Sequence, residues 1–238
     1  MITKHIPNTI TSMNLLCGTL GVIMAFSNRL DLAFCLMLAA AVFDFCDGLS
    51  ARLLDAYSDM GKELDSLSDL VSFGVLPAVM LYNVSKACMF GSSWICWTPV
   101  LIAVFSGLRL AKFNVDPRQT SGFIGLATPA NAMICGSLCY YVAFNPASFL
   151  ATWFAGPVFL PVLTACSCFL LVSEIPMFSM KFHKDDSAAL RTKRLAFAII
   201  VAASVLVCAV FKLNWSLAVL LSFTLYVVKN IVYWIFRI

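Results

Sequence analysis

The stretch Asp44-Phe45-Cys46-Asp47-Gly48-Leu49-Ser50-Ala51-Arg52 closes an apolar run that begins near residue 30, and after a short polar break Gly61, Asp65 and Asp69 enter the next one. An apolar run of this length predicts a helix that crosses about 30 Å of hydrocarbon. A charge at membrane depth costs about 2.5 kcal/mol or more, so acids in such helices face a water-filled cavity, pair with a cation or hold metal ions. Helical spacing puts Asp44, Asp47, Gly48, Ala51 and Arg52 on one face, and Gly61, Asp65 and Asp69 on one face of the following helix. A short connection brings the two faces together. Four carboxylates then meet only Arg52 and Lys62 as protein counter-charges, and divalent cations are the obvious missing charge.

The rest of the chain has the same solvent. Of its 238 residues 61% are hydrophobic and 12% charged, about half the charged share of an ordinary soluble domain. Apolar stretches at 9–27, 30–53, 63–83, 94–114, 123–144, 152–178, 194–211 and 214–236 predict an all-α polytopic membrane protein of about eight transmembrane helices in a single domain, 1–238. The first stretch lacks a small-residue cleavage site and is followed by more spans, so it is expected to be retained. Eight spans put both termini on one side. Placing the termini and the connections 53–62, 109–122 and 179–194 in the cytoplasm gathers thirteen of the sixteen Lys and Arg residues there and leaves Arg29, Lys86 and Lys212 outside. That asymmetry predicts a cell membrane protein whose acidic site faces the cytoplasm.

The net charge of +4 therefore reads as topology. The Lys181–Arg194 cluster reads as a topology determinant attracted to anionic membrane lipid, and no nucleic-acid partner is expected. The ten cysteines lie mainly inside apolar runs without a Cys-x-x-Cys pair, as small core residues do. His5 and His183 stand too far apart, with no cysteine companion, for a zinc site. In the first helix Asn8, Thr11 and Asn14 form a polar stripe in an otherwise apolar segment.

A cage of carboxylates selects hard cations, so Mg²⁺, Mn²⁺ or Ca²⁺ outranks zinc or copper. Two such ions clamp a pyrophosphate and neutralise charge that develops during phosphoryl transfer. Gly48 and Ala51 remove bulk from the same face, and Arg52 offers a planar donor fork to phosphate oxygens. Arg109, Lys112 and Asn114 lie at the cytoplasmic end of the fourth span. They either contact an anionic substrate group or only snorkel to the membrane boundary. Ser66, Ser68 and Ser72 read chiefly as small residues for close helix packing.

The spacing D-x2-D-G-x2-A-R-x8-G-x3-D-x3-D is met by Asp44, Asp47, Gly48, Ala51, Arg52, Gly61, Asp65 and Asp69, and it resembles the signature of the CDP-alcohol phosphotransferase family. Further segments, among them Pro7-Asn8-x-x-Thr11-x-x-Asn14, Leu108-Arg109-Leu110-Ala111-Lys112-Phe113-Asn114 and Phe123-x-Gly125-Leu126-x-Thr128-Pro129-Ala130, are similar to the serine-using branch of that family, with Ala127 where a proline is expected. The resemblance covers about 6–182. It implies a six-helix catalytic core followed by two added helices at about 194–236, and transfer of the phosphatidyl group of CDP-diacylglycerol to the hydroxyl of L-serine with release of CMP. It implies that Asp44, Asp47 and Asp65 ligate a first metal and that Asp44, Asp65 and Asp69 serve a second. Asp69 is then the general base, Gly48, Arg52 and Ser58 contact the CDP-lipid head group, and the Asn8–Thr11 segment holds the nucleotide. Arg109, Lys112 and Asn114 are the candidates for the serine or lipid phosphate, and a homodimer is expected.

Sister enzymes that use inositol phosphate, glycerol phosphate or choline would share the aspartate motif. A cation transporter would instead place its acids at mid-membrane on broken, internally repeated helices, whereas here they gather at one end and no repeat is visible.

Overall fold

The computed structural model describes residues 5–88, 94–116, 123–177 and 188–236. Of the residues expected on the basic side, Lys4, Arg118, Lys181, Lys184 and Arg237, and the side chains of Arg191, Lys193 and Arg194, lie outside the described residues.

Helix α1 (His5–Phe26) buries a stripe of small and polar residues, Pro7, Thr11, Asn14, Gly18, Gly21 and Ala25, and exposes Leu16, Leu20 and Ile23. This is the amphipathy of a membrane helix, in which small residues permit close approach and large apolar ones face lipid. Asn28, at φ 62°, makes the turn into α2 (Leu30–Leu53), a conformation asparagine tolerates. The chain then enters α3 (Asp59–Asp69), whose N-cap Ser58 accepts from the Gly61 N–H at 3.0 Å.

α3 continues as a π-helix over Leu70–Val75 and then as α4 (Leu76–Cys88). Pro77 accounts for the change of pitch. It has no N–H to donate to Phe73, and in an α-helix its ring would press on that carbonyl. The preceding turn widens, and the Leu76 N–H bonds the carbonyl of Val71 five residues back. This composite span is the centre of the bundle: 56% of its apolar stretch is buried, against 22–33% in the other long helices. It meets α1 at very short range, because a Cβ on Gly18 would stand 2.9 Å from Cα of Ser72. Ser68 and Ser72 donate to the Thr11 and Asn14 carbonyls at 3.3 and 3.1 Å, so these two serines pack the composite span onto α1 as expected.

After a 3₁₀ turn at Trp94–Trp97 comes α5 (Val100–Val115), then α6 (Thr128–Phe144), α7 (Phe149–Ala155), α8 (Phe159–Val172), α9 (Ala188–Val210) and α10 (Trp215–Phe236). α10 packs on α6 and α9. All eight expected spans coincide with helix, which makes the chain an all-α polytopic membrane protein, but two differ in form. The stretch 123–144 begins with strand β1 (Phe123–Ile124), paired antiparallel with β2 (Pro176–Met177), because Gly125 at φ 80° breaks helical continuity. The stretch 152–178 is divided between α7 and α8 at Gly156-Pro157, and α6 and α7 meet at 102°. α8 ends at Val172 rather than 178, since Pro176 disfavours helix in the residue before it. Among the described residues five helices are long and apolar enough to cross a bilayer, or six if the bent pair counts as one, with Phe159–Val172 and Leu195–Val210 shorter.

Candidate active site

α2 delivers Asp44 and Asp47, and α3 delivers Asp65, to one point: a carboxylate oxygen from each lies within 4.8 Å of the others. Asp47 is buried and the other two are half-buried. Three carboxylates this close repel one another strongly in a low dielectric. Oxygen donors at this separation form the donor set of a hard divalent cation, so the residues present fit the metal expected from the sequence. Asp69 stands outside the trio. It is buried, receives a long hydrogen bond of 3.4 Å from Asn14 Nδ2, and interacts electrostatically with Asp44, Asp65 and Asp47 and, in the opposite sense, with Arg109.

Two cavities flank the carboxylates, and Lys62 and Asp65 line both. The smaller, of about 310 Å³, is walled by Asn8, Thr11, Asp47, Gly48, Arg52 and Ser58, together with Gly61 and Ala51. Arg52 is held there by donating Nε–H to the Gly48 carbonyl at 2.9 Å. A Cβ added to Gly48 would meet nothing within 4 Å, so the backbone at that point is open to a ligand. Gly61 has the converse role, since its Cβ would stand 2.9 Å from both Asn8 Oδ1 and Ser58 Oγ. A side chain there would displace both groups from the positions in which they line the cavity. The N-terminus of α3 borders the same space through Ser58, Gly61 and Lys62, and the positive end of its dipole suits an anion. The sequence-predicted donor residues Asn8, Thr11, Gly48, Arg52 and Ser58 are thus brought together.

The larger cavity, of about 670 Å³, contains Asp44 and Asp69 as well as Asp65, with Arg109 and Asn114 from α5, Ser66 from α3, and Phe223 and Tyr226 from α10. Arg109 is 6% exposed. It donates Nη1–H to Thr128 Oγ1 at 3.4 Å and sits over the Phe113 ring at 5.0 Å, a cation–π arrangement available to a guanidinium one helical turn away. Asn114 donates to Ser66 Oγ at 2.8 Å, and its carbonyl accepts from Lys62 Nζ at 3.1 Å. These contacts tie the end of α5 to α3. Lys112 is not brought to the site: it lines neither cavity and pairs with Glu174 at 3.6 Å on an exposed face. Ala127, where a proline is expected, has φ −65°, the angle a proline ring imposes, so the loop shape is the one the proline would give.

Sequence reasoning missed the Asn14–Asp69 contact, although the polar stripe on the first helix was the signal for it. It gave Thr128 no role, although a family-like segment includes it, and it missed every residue from α10, for which no motif exists.

Comparison with known proteins places the chain among relatives. A family model described as CDP-alcohol phosphatidyltransferase matches residues 4–160. The chain is 36% identical over 184 residues to the CDP-diacylglycerol–serine O-phosphatidyltransferase of Mycobacterium leprae, covering 74% of this chain and 58% of that protein. It is 32% identical over 184 residues to the protein of the same name from Bacillus subtilis, covering 77% and 96%. It is 35% identical over 137 residues to that of Methanocaldococcus jannaschii, covering 58% and 61%.

Proposed function

The chain belongs to the CDP-alcohol phosphatidyltransferase family, and on that premise we propose that it transfers the phosphatidyl group of CDP-diacylglycerol to the hydroxyl of L-serine, giving phosphatidylserine and CMP. The observation that carries the proposal is the pair of cavities meeting at Asp65 and Lys62, one suited to a nucleotide diphosphate and the other to an acceptor. The relatives' names, all of serine enzymes, support serine over inositol phosphate, glycerol phosphate or choline.

In this reading the CDP head group occupies the smaller cavity, with its pyrophosphate against Gly48, Arg52 and the start of α3. Asp44, Asp47 and Asp65 would hold a divalent cation, Mg²⁺ or Mn²⁺, with Asp69 beside a second. Bound there, the cations would neutralise the pyrophosphate and the charge that develops on the leaving CMP. The serine hydroxyl attacks the phosphorus that bears diacylglycerol, the bond from that phosphorus to the bridging oxygen breaks, and CMP departs with the electron pair. Asp69 takes the hydroxyl proton. Its position outside the close trio, oriented by Asn14, favours this role over that of a primary ligand. Arg109, buried beside Asp44 and Asp69, supplies the positive charge for the serine carboxylate. The catalytic core would run over about 6–182, and the site would open to the cytoplasmic face of the cell membrane, the side carrying most of the Lys and Arg residues.

The test is release of CMP from CDP-diacylglycerol by the purified full chain with serine, inositol phosphate, glycerol phosphate and choline in turn. Serine alone should support turnover. Asp69→Asn should keep CDP-diacylglycerol binding and lose about 10²–10⁴-fold in turnover. Turnover with another alcohol and not serine would overturn the acceptor, and recovery of Asp69→Asn at high metal would remove the base role.

A further inference from the structure

The family match ends at residue 160, yet the wall of the larger cavity includes Val219, Phe223 and Tyr226, all on α10. These are not incidental contacts at a rim. Tyr226 is 2% exposed and is among the largest fully buried side chains of the protein. α10 places it deep in the bundle because Ala218, Ser222, Tyr226 and Asn230 fall on its inward face, a four-residue repeat in which small residues bring the helix close to α6 and the tyrosine fills the space that remains. From α9, the Phe197 ring meets both Tyr226, at 5.6 Å and 72°, and Phe223, at 6.1 Å and 67°. Such edge-on packing fixes the phenol in one orientation. On the cavity side Tyr226 and Arg109 line the same wall, where the guanidinium also meets Phe113 on its own helix and Thr128 at the start of α6.

We propose that Tyr226 is a positioning residue for Arg109, so that the C-terminal helix α10 completes the acceptor compartment and sets affinity for the acceptor. A long arginine side chain on α5 has many rotamers, and a fixed phenol on the same cavity wall removes several of them without adding charge. α10 thus takes part in the reaction at second hand, through the orientation of the cation that meets the acceptor. The proposal rests on the reading of the larger cavity as the acceptor side.

Tyr226→Phe keeps the ring and its packing on Phe197 and removes only the hydroxyl. In the full chain it should raise KM for serine about tenfold, the worth of one polar contact to a charged group, while KM for CDP-diacylglycerol and Tm stay as in the unchanged protein. In an Arg109→Lys background, where the planar fork is gone, the same substitution should have no further effect on KM for serine. An unchanged KM for serine in Tyr226→Phe would overturn the proposal, as would equal losses for both substrates or full additivity with Arg109→Lys. If the unchanged protein releases no CMP with any alcohol, the proposed activity fails, and the positioning claim is decided separately. Phenylglyoxal modification of Arg109, followed by peptide mass analysis, should then be several-fold faster in Tyr226→Phe and faster still in Tyr226→Ala. Equal rates in all three proteins would overturn it.

Discussion

The two cavities that share Asp65 and Lys62 are built in opposite ways. Every residue lining the smaller falls between Pro7 and Asp65, on three consecutive helices and the connection between the last two, and it presents hydroxyls, an amide, cations and two glycines. The larger draws on residues from Leu38 to Tyr226, on α2, α3, α5, α6 and α10, and most of its wall is apolar apart from a corner holding the acids and Arg109. The difference separates two tasks. Holding a nucleotide diphosphate lipid against carboxylates is a local property of a short segment, whereas admitting one alcohol requires helices far apart in sequence. Substitutions should sort accordingly, and the shared wall should be the most sensitive place.

The largest effect is therefore expected at Asp65 and at its partner Asp44. Asp65→Asn or Asp44→Asn removes a charge from the trio and should abolish CMP release and weaken binding of Mn²⁺, measured by calorimetry or by electron paramagnetic resonance. Full turnover of either variant with added metal would erase the distinction between a shared wall and two flanking compartments. A smaller, opposed pair comes next. Arg52→Lys loses the planar fork anchored on Gly48 and should raise KM for CDP-diacylglycerol about tenfold with little change for serine, while Arg109→Lys should do the reverse; each loses about one charge-assisted hydrogen bond. If both substitutions move the same KM, the cavities are one compartment. The smallest effect is expected at Lys112. Lys112→Ala breaks only an exposed pair with Glu174, worth about 0–1 kcal/mol, so both KM values and Tm should match the unchanged protein. A selective rise in KM for serine would return Lys112 to the acceptor side.

This contrast also explains how far the sequence could be read. The spacing of Asp44, Asp47, Gly48, Arg52, Gly61 and Asp65 is a helical pattern, and helical periodicity is short-range, so that face of the smaller cavity was legible from the motif, while the assignment of Asn8, Thr11 and Ser58 to it came from the family resemblance. The stripe of Asn8, Thr11 and Asn14 was legible as a polar face. Its target was not, because meeting Asp69 depends on how closely α1 and α3 approach, and Gly18 against Ser72 sets that distance. Arg109 was found and Lys112 proposed with it, although they lie three residues apart on one helix. The structure buries one beside Thr128 of α6 and leaves the other outside beside Glu174, and no local signal carries that information. The division of 152–178 into two helices was announced by Gly156-Pro157, but the length of the apolar run outweighed it. Tyr226 was one aromatic residue among many in an apolar helix, and only the packing of α10 on α6 distinguishes it.

The widened turn at Leu70–Val75 gives the central span two registers. A π segment is in effect an α-helix carrying one surplus residue, so the half that aims Asp65 and Asp69 and the half that packs Leu76, Met80 and Leu81 into the core are set independently. The surplus residue acts as a phase shifter. Wound at ordinary α pitch with no residue removed, 70–75 would leave composition, length and hydropathy unchanged yet rotate the acidic half by about 100° relative to the core half, and Asp65 and Asp69 would turn away from α2.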